Sequence, residues 1–265
     1  MTVKAISALF IAAAHLALAF SSTPKYTTNA TQAASGYRVT FSHNCPATTA
    51  VFPHFTVTNG TACASQNTFD QPSSQGEVRE YVLKYGAEGQ STWTFWIDNQ
   101  ANSTGPRVRS LVEATCISGL GQCYVDISNI DGVSNGFKVT MGAKTCSTIG
   151  PKSKASPNCA PLVCSVPSDW QCPMANRFDQ DLSKNYPPTY LGTLQSCVSN
   201  CTLYDSDEAC CKHANGSEQT CTNQNLAIRD MCEDAYSYAY DDKRASYVYQ
   251  LALDEDTVID ITACP

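Results

Sequence analysis

Glu113, Asp126 and Asp131 lie close together in the chain, and two of them meet if the segments that carry them form a hairpin. Cys116 and Cys123 supply the register. If they oppose each other across two antiparallel strands, three steps back from one and three forward from the other set Glu113 against Asp126. Opposed Cβ atoms lie about 4.5–5.5 Å apart. Paired carboxylates are what glycoside hydrolysis needs, one protonated for the leaving oxygen and one ionised as base or nucleophile. Two like charges this close push one pKa up, and Asp126 crowding Glu113 would supply the proton donor. Glu113 is accordingly read as the acid. Asp131, brought back toward the same rim by the loop after Ser128, is read as the base of an inverting geometry. Arg107 and Arg109 both precede Glu113 by an even number of residues, and either serves as the compensating cation.

Alternation must position these groups. Val112, Ala114, Cys116, Val125 and Ile127 fall on one face of the hairpin, and Arg109, Glu113, Tyr124, Asp126 and Ser128 on the other. The apolar face is core, and the polar face carries the chemistry. Around the hairpin, short Val/Thr/Phe/Tyr-rich runs separated by turn residues predict strands over 37–42, 54–58, 80–83, 92–97, 108–116, 124–128 and 137–141. That pattern is mainly β, an antiparallel β-sandwich built from residues 37–143 together with 245–265. Residues 144–244 lose periodicity and read as a disulfide-rich lobe, with one helix over 223–235.

The ends and the composition point outward from the cell. Residues 1–19 have a short basic start, an apolar run and Ala17-Leu18-Ala19, which reads as a signal peptide cleaved after Ala19. Residues 20–36 read as a Ser/Thr-rich leader, and neither a second membrane-length run nor a lipid-anchor tail is expected. Fifteen cysteines in 265 residues belong in an oxidising compartment, so a secreted, extracellular protein is expected. Asn29, Asn59, Asn102 and Asn215 head glycosylation sequons, and Asn200, followed by Cys201, is the poorest acceptor. A formal charge of −7 argues against nucleic acid or anionic membrane as partner and suits a neutral, cationic or carbohydrate one. His43, His54 and His213 are scattered without metal-like spacing, and no Gly-rich phosphate loop is present, so neither metal nor cofactor is expected.

The later cysteines carry a resemblance. Cys197-Val-Ser-Asn-Cys201, Asp207-Glu-Ala-Cys-Cys211, Cys221, the run from Cys232 to Asp242 and the ending Val258–Pro265 resemble the thaumatin-like family. Leu111-Val-Glu113 and the run from Tyr124 to Gly132 look like its glutamate strand and the strand that follows. The resemblance implies the bridges Cys45–Cys264, Cys164–Cys232, Cys172–Cys197, Cys201–Cys210 and Cys211–Cys221. Of the cysteines that remain, geometry favours Cys116–Cys123 across a hairpin and Cys146–Cys159 as a substitute bridge, with Cys63 left over. An odd cysteine in a secreted chain is a free thiol, a mixed disulfide or a dimer link, so a monomer is expected unless Cys63 joins two copies. The resemblance further implies a cleft between sandwich and lobe, lined by Arg107 or Arg109, Glu113, Asp126, Asp131 and Asp241 or Asp242. Tyr124 lies on the same face. Two functions follow as expectations. One is binding of β-glucan, a related wall polysaccharide or an extracellular protein without strong catalysis. The other is an endo-β-1,3-glucanase with Glu113 as acid and Asp131 as base.

Overall fold

Alternation of apolar and polar residues builds the two sheets of the computed structural model. It describes residues 36–45, 51–64, 72–86, 89–98, 108–143, 146–149, 159–167, 170, 172, 176, 197–217, 219–221, 226–241, 247–251, 253 and 256–265. Ala33–Pro265 form one unit by their contacts. The signal-peptide and leader readings, Arg107, Asp242, Asn29 and Asn102 lie outside the described residues.

The first sheet contains β1 (Tyr37–His43), β3 (Thr61–Ala64), β4 (Val78–Lys84), β9 (Phe137–Gly142), β11 (Leu162–Cys164) and β15 (Val258–Ala263), in the order β11-β9-β15-β1-β4-β3. The second contains β2 (Phe52–Asn59), β5 (Gln90–Asp98), β6 (Leu111–Ile117), β7 (Gln122–Ser128), β10 (Cys146–Ile149) and β14 (Tyr247–Leu251), in the order β10-β14-β7-β6-β5-β2. A short strand, β13 (Ala235–Tyr236), runs parallel to β7 at Ile127 and Ser128. The sheets are otherwise antiparallel except for β1 and β15, which pair in parallel and join the first strand to the last. Cys45–Cys264 closes the end of that pair, with Cα atoms 4.9 Å apart.

Inward-pointing side chains of both sheets meet in one core. Phe41 of β1 lies 5.1 Å from Phe95 of β5, and Phe55 of β2 lies 5.3 Å from Tyr81 of β4, ring centre to ring centre. These contacts cross from sheet to sheet, which is the sandwich expected from the strand pattern. Trp93 Nε1 donates to the Tyr37 hydroxyl at 2.7 Å, so the two largest polar-tipped rings satisfy each other inside the core. Burial pushes the Tyr37 phenol up to about 12, so the hydroxyl stays a neutral donor, bonded at 3.2 Å to Ser91 Oγ.

Two features differ from the sequence reading. Of the helix expected over 223–235, residues 223–225 lie outside the described residues, and the structure shows α2 (Leu226–Met231). It stops because Cys232 bonds to Cys164 and Ala235 is already paired with β7. Furthermore, β10, β11 and β13 join the sheets, so the sandwich draws on the stretch assigned wholly to the lobe. β10 pairs with β14, and β11 pairs with β9 with Leu162 and Cys164 buried and Val163 exposed. Three or four residues are too few to register as a period among Cys, Pro and Ser.

Seven disulfides are present. Besides Cys45–Cys264 and Cys164–Cys232 they are Cys116–Cys123, Cys146–Cys159, Cys172–Cys197, Cys201–Cys210 and Cys211–Cys221. Together they use fourteen of the fifteen cysteines, so Cys63, on edge strand β3, has no cysteine of its own chain to bond. Asn59 ends β2 and Asn215 sits in a single 3-10 turn, both partly exposed.

The lobe grips the sandwich at a small seam where β8 (Gly132–Val133) pairs with β12 (Cys197–Val198). Immediately after it, Ser199 caps α1 (Asn200–Tyr204) by accepting from Thr202 N, and Thr202 Oγ1 donates to the Asp131 carbonyl at 2.8 Å. Gly132 has φ +132°, and a Cβ there would collide with the Cys197 carbonyl and Val108 Cγ1. Gly132→Ala should therefore destabilise the protein by about 1–3 kcal/mol from backbone strain alone, read as a lower melting temperature. Non-reducing peptide mapping should place Cys63 outside every intrachain bridge. A map joining Cys63 to Cys146 or Cys159 would overturn that pairing.

Candidate functional site

The β6–β7 hairpin sets the geometry. A single 3-10 turn, Ser118–Leu120, ends on Gly121 in the left-handed region at φ 58°, and Cys116 and Cys123 bond directly across the two strands. Glu113 then stands opposite Asp126, and on its other side opposite Thr94 of β5. Val112, Ala114, Cys116, Val125 and Ile127 are buried inward, whereas Glu113 and Asp126 are partly exposed outward. One polar row thus crosses three strands.

Glu113 carries a strongly perturbed carboxyl on that row. Its pKa is raised to about 7, first by burial and then by the negative charge of Asp131. Hydrogen bonds from Ser128 and Thr94 and the positive charge of Arg109 pull the other way without cancelling the rise. The Thr94 bond is long, 3.5 Å from Oγ1 to Glu113 Oε1. From the sequence, crowding by Asp126 is the expected cause of the shift. Here removal from water is the larger cause, and the carboxylate whose charge adds to it is Asp131.

Asp131 owes its place to the lobe, because its carbonyl is held by Thr202 and the next residue pairs with Val198. Among the described residues, Arg109 is the cation whose charge acts on Glu113. It is buried, and its guanidinium lies 4.0 Å over the Trp96 ring, which itself stacks on His54 at 5.2 Å. A buried guanidinium over an indole gains cation–π attraction and is poorly screened by water, so its field reaches Glu113. Asp241 is buried in the turn after β13, accepting from Ser237 N at 3.2 Å and Ser237 Oγ at 3.0 Å. That turn runs beside β7, where Asn129 N donates to the Tyr236 carbonyl at 2.8 Å. Tyr124 shares the outer face, but its hydroxyl donates to Gln122 Oε1 at 3.2 Å, away from the carboxylates.

Sequence reasoning brought Glu113, Asp126, Asp131, Arg109 and Ser128 into view and missed Trp96, His54 and Thr94 as their neighbours. The signal for Trp96 was available. Ser91, Trp93, Phe95 and Ile97 point inward, so Thr92, Thr94 and most of Trp96 belong to the outer face of the same strand.

Half-protonated near neutrality, Glu113 can donate or accept a hydrogen bond, and beside an anionic Asp131 it has the electrostatics of a general acid. The thaumatin family model matches residues 98–265, which include this hairpin, the seam and the lobe. Pathogenesis-related protein 5 of Arabidopsis thaliana is 28% identical over 169 residues, covering 63% of this chain and 59% of that protein. A glucan endo-1,3-beta-glucosidase of Prunus avium is 29% identical over 140 residues, 52% of this chain and 49% of that protein. Thaumatin-like protein 1b of Malus domestica is 29% identical over 140 residues, 52% of this chain and 57% of that protein. The match thus spans about half to three-fifths of those relatives' own length. With the sandwich, the seven bridges and a family match over more than half of its length, the chain belongs to the thaumatin family.

Proposed function

We propose that this chain is a secreted protein that binds a neutral β-glucan or related wall polysaccharide at the Glu113–Asp126–Asp131 face, without strong hydrolysis. The carrying observation is a carboxyl that keeps its proton to about pH 7 on the outer face of a sheet. Such a group offers a sugar hydroxyl both a donor and an acceptor, without the desolvation cost of a full charge. Arg109 and Asp241 belong to the same reading as the positive wall and the buried support of the adjoining turn, and Arg107 and Asp242 remain further candidates. Export is supported by the apolar, basic-flanked start and by the number of disulfides.

A second reading is favoured by the same carboxyl. Glu113 would protonate the leaving oxygen, and Asp131 would activate water from the opposite side of the sugar ring. The name of the Prunus avium relative lends this weight. Purified protein incubated with a soluble β-1,3-glucan separates the two. Binding without new reducing ends favours the first, and release of reducing ends favours the second. Neither binding nor hydrolysis would sink both. If hydrolysis is found, Glu113→Gln should lower its rate by about 10²–10⁴ while the protein stays folded.

Stability supplies a separate check on the protonation of Glu113. Its folded-state pKa lies above the ordinary 4.5, so the group supports folding fully below that value and progressively less as pH climbs to about 7. Glu113→Gln removes this loss and keeps an oxygen to accept from Thr94. The variant should be more stable than the parent at about pH 8, by on the order of 1 kcal/mol, with the gap closing at about pH 4. Thermal melts at the two pH values read the difference. A variant less stable at the higher pH would mean that Glu113 is held ionised as an ion-pair partner.

A further inference from the structure

Between Glu113 and the β6–β7 turn, the outer face of the second sheet carries two more rungs. Thr92, Thr115 and Tyr124 form the first, in register across β5, β6 and β7. Ile117, Gln122 and Gln250 form the second, across β6, β7 and β14. Successive rungs on one face stand about 7 Å apart, so this surface runs about 14 Å from the carboxylates to the turn. All six side chains are partly exposed, and none is charged at neutral pH.

The rungs are cross-linked. Thr92 and Thr115 hydroxyls lie 3.2 Å apart, and Tyr124 donates to Gln122 Oε1 at 3.2 Å. Gln122 Nε2 donates to Gln250 Oε1 at 3.1 Å, and Gln250 Nε2 donates to the carbonyls of Leu120 at 3.0 Å and Gly121 at 3.1 Å. Side chains already ordered this way lose little rotamer freedom when a ligand arrives. The lack of charge is not a general trait of the molecule's sheet faces. On the other sheet the outer face holds the Arg38–Glu80 ion pair, at 3.2 Å, together with Asp260 and Lys138.

We propose that this face is a run of subsites, continuous with the Glu113 site, that binds a neutral, hydroxyl-rich polysaccharide on the turn side of the carboxylates. Each threonine, tyrosine and glutamine side chain both donates and accepts, as every sugar hydroxyl does, so a chain of hydroxyls finds partners on each rung. The Tyr124 ring and Ile117, diagonal neighbours across the hairpin, present apolar surface for the C–H faces of the sugar rings. An anionic polymer would find no cation on these rungs and would meet the carboxylates at their end. The inference rests on the glucan reading above and extends it to residues outside the Glu113 row.

Calorimetric titration with β-1,3-linked glucose oligomers of increasing length tests it. For the parent protein, affinity should rise with oligomer length. Thr115→Glu, which puts a fixed charge on the first rung, should weaken the longer oligomers by about tenfold or more and leave the shortest unchanged. Gln122→Ala reads the same length dependence if Thr115→Glu does not fold. Thr140→Glu, on the outer face of the other sheet, controls for added charge and should bind as the parent does. If the parent binds and both rung variants keep its length dependence, the subsites are refuted while the glucan reading stands. If the parent binds no oligomer of any length, the glucan reading falls, and the subsites fall with it.

Discussion

A half-buried carboxyl group can sit on the outer face of a sheet only if the strand that carries it cannot slip, and here the β6–β7 register prevents the slip. A shift of one residue would turn Glu113 into the core beside Phe95 and Ile127 and bring Ala114 out to Thr94 and Asp126. Burying an ionised carboxylate among those apolar side chains costs several kcal/mol, far more than a rung of hydrogen bonds returns. The Cys116–Cys123 bridge and the left-handed Gly121 fix the same register from the turn end. Alternation, crosslink and turn therefore agree, and the row Thr94–Glu113–Asp126 follows from that agreement.

The state of Glu113 is a balance struck between elements distant in sequence. Burial and Asp131 favour the proton, while Ser128, Thr94 and Arg109 favour the charge. Asp131 is delivered by the seam between sandwich and lobe, and that seam closes only because Gly132 has no side chain. Arg109 is held by Trp96, which is held in turn by His54 of β2. The lobe and the far edge of the second sheet thus bear on one group with opposite signs. Displacing either would move the pKa in a known direction: losing Asp131 lowers it and losing Arg109 raises it.

Legibility in the sequence tracked the range over which each constraint acts. Strands of five residues or more announced themselves by alternation, including β1 and β4, although the family model begins only at residue 98. Tyr37, Val39 and Phe41 are all buried with partly exposed residues between them, and that is a period-two signal needing no relative. The opposition of Glu113 and Asp126 was legible because one cysteine pair converts hairpin spacing into register. What stayed hidden was non-local or short. β10 and β11 are strands because of the partners they find, and α2 is cut short by a bridge to Cys164, sixty-eight residues away. The dominance of burial over charge crowding at Glu113, and the part played by Asp131 and Arg109, depend on segments outside the hairpin, and no spacing within the hairpin encodes them.

Glu113 also stands at a boundary between two kinds of surface. Toward the turn lie threonine, glutamine and tyrosine side chains without charge, and toward the seam lies Asp131. A group with a pKa of about 7 makes the charge at that boundary pH-dependent in the neutral range. Under the reading proposed above, binding draws on many hydroxyl and amide contacts that do not titrate, whereas proton donation draws on Glu113 alone. Raising the pH would then abolish donation through one group while leaving most of the hydrogen-bonding surface intact. Binding and hydrolysis are therefore separable by pH in the same molecule, and the separation follows from where the sheet places Glu113, at the end of a run of neutral side chains.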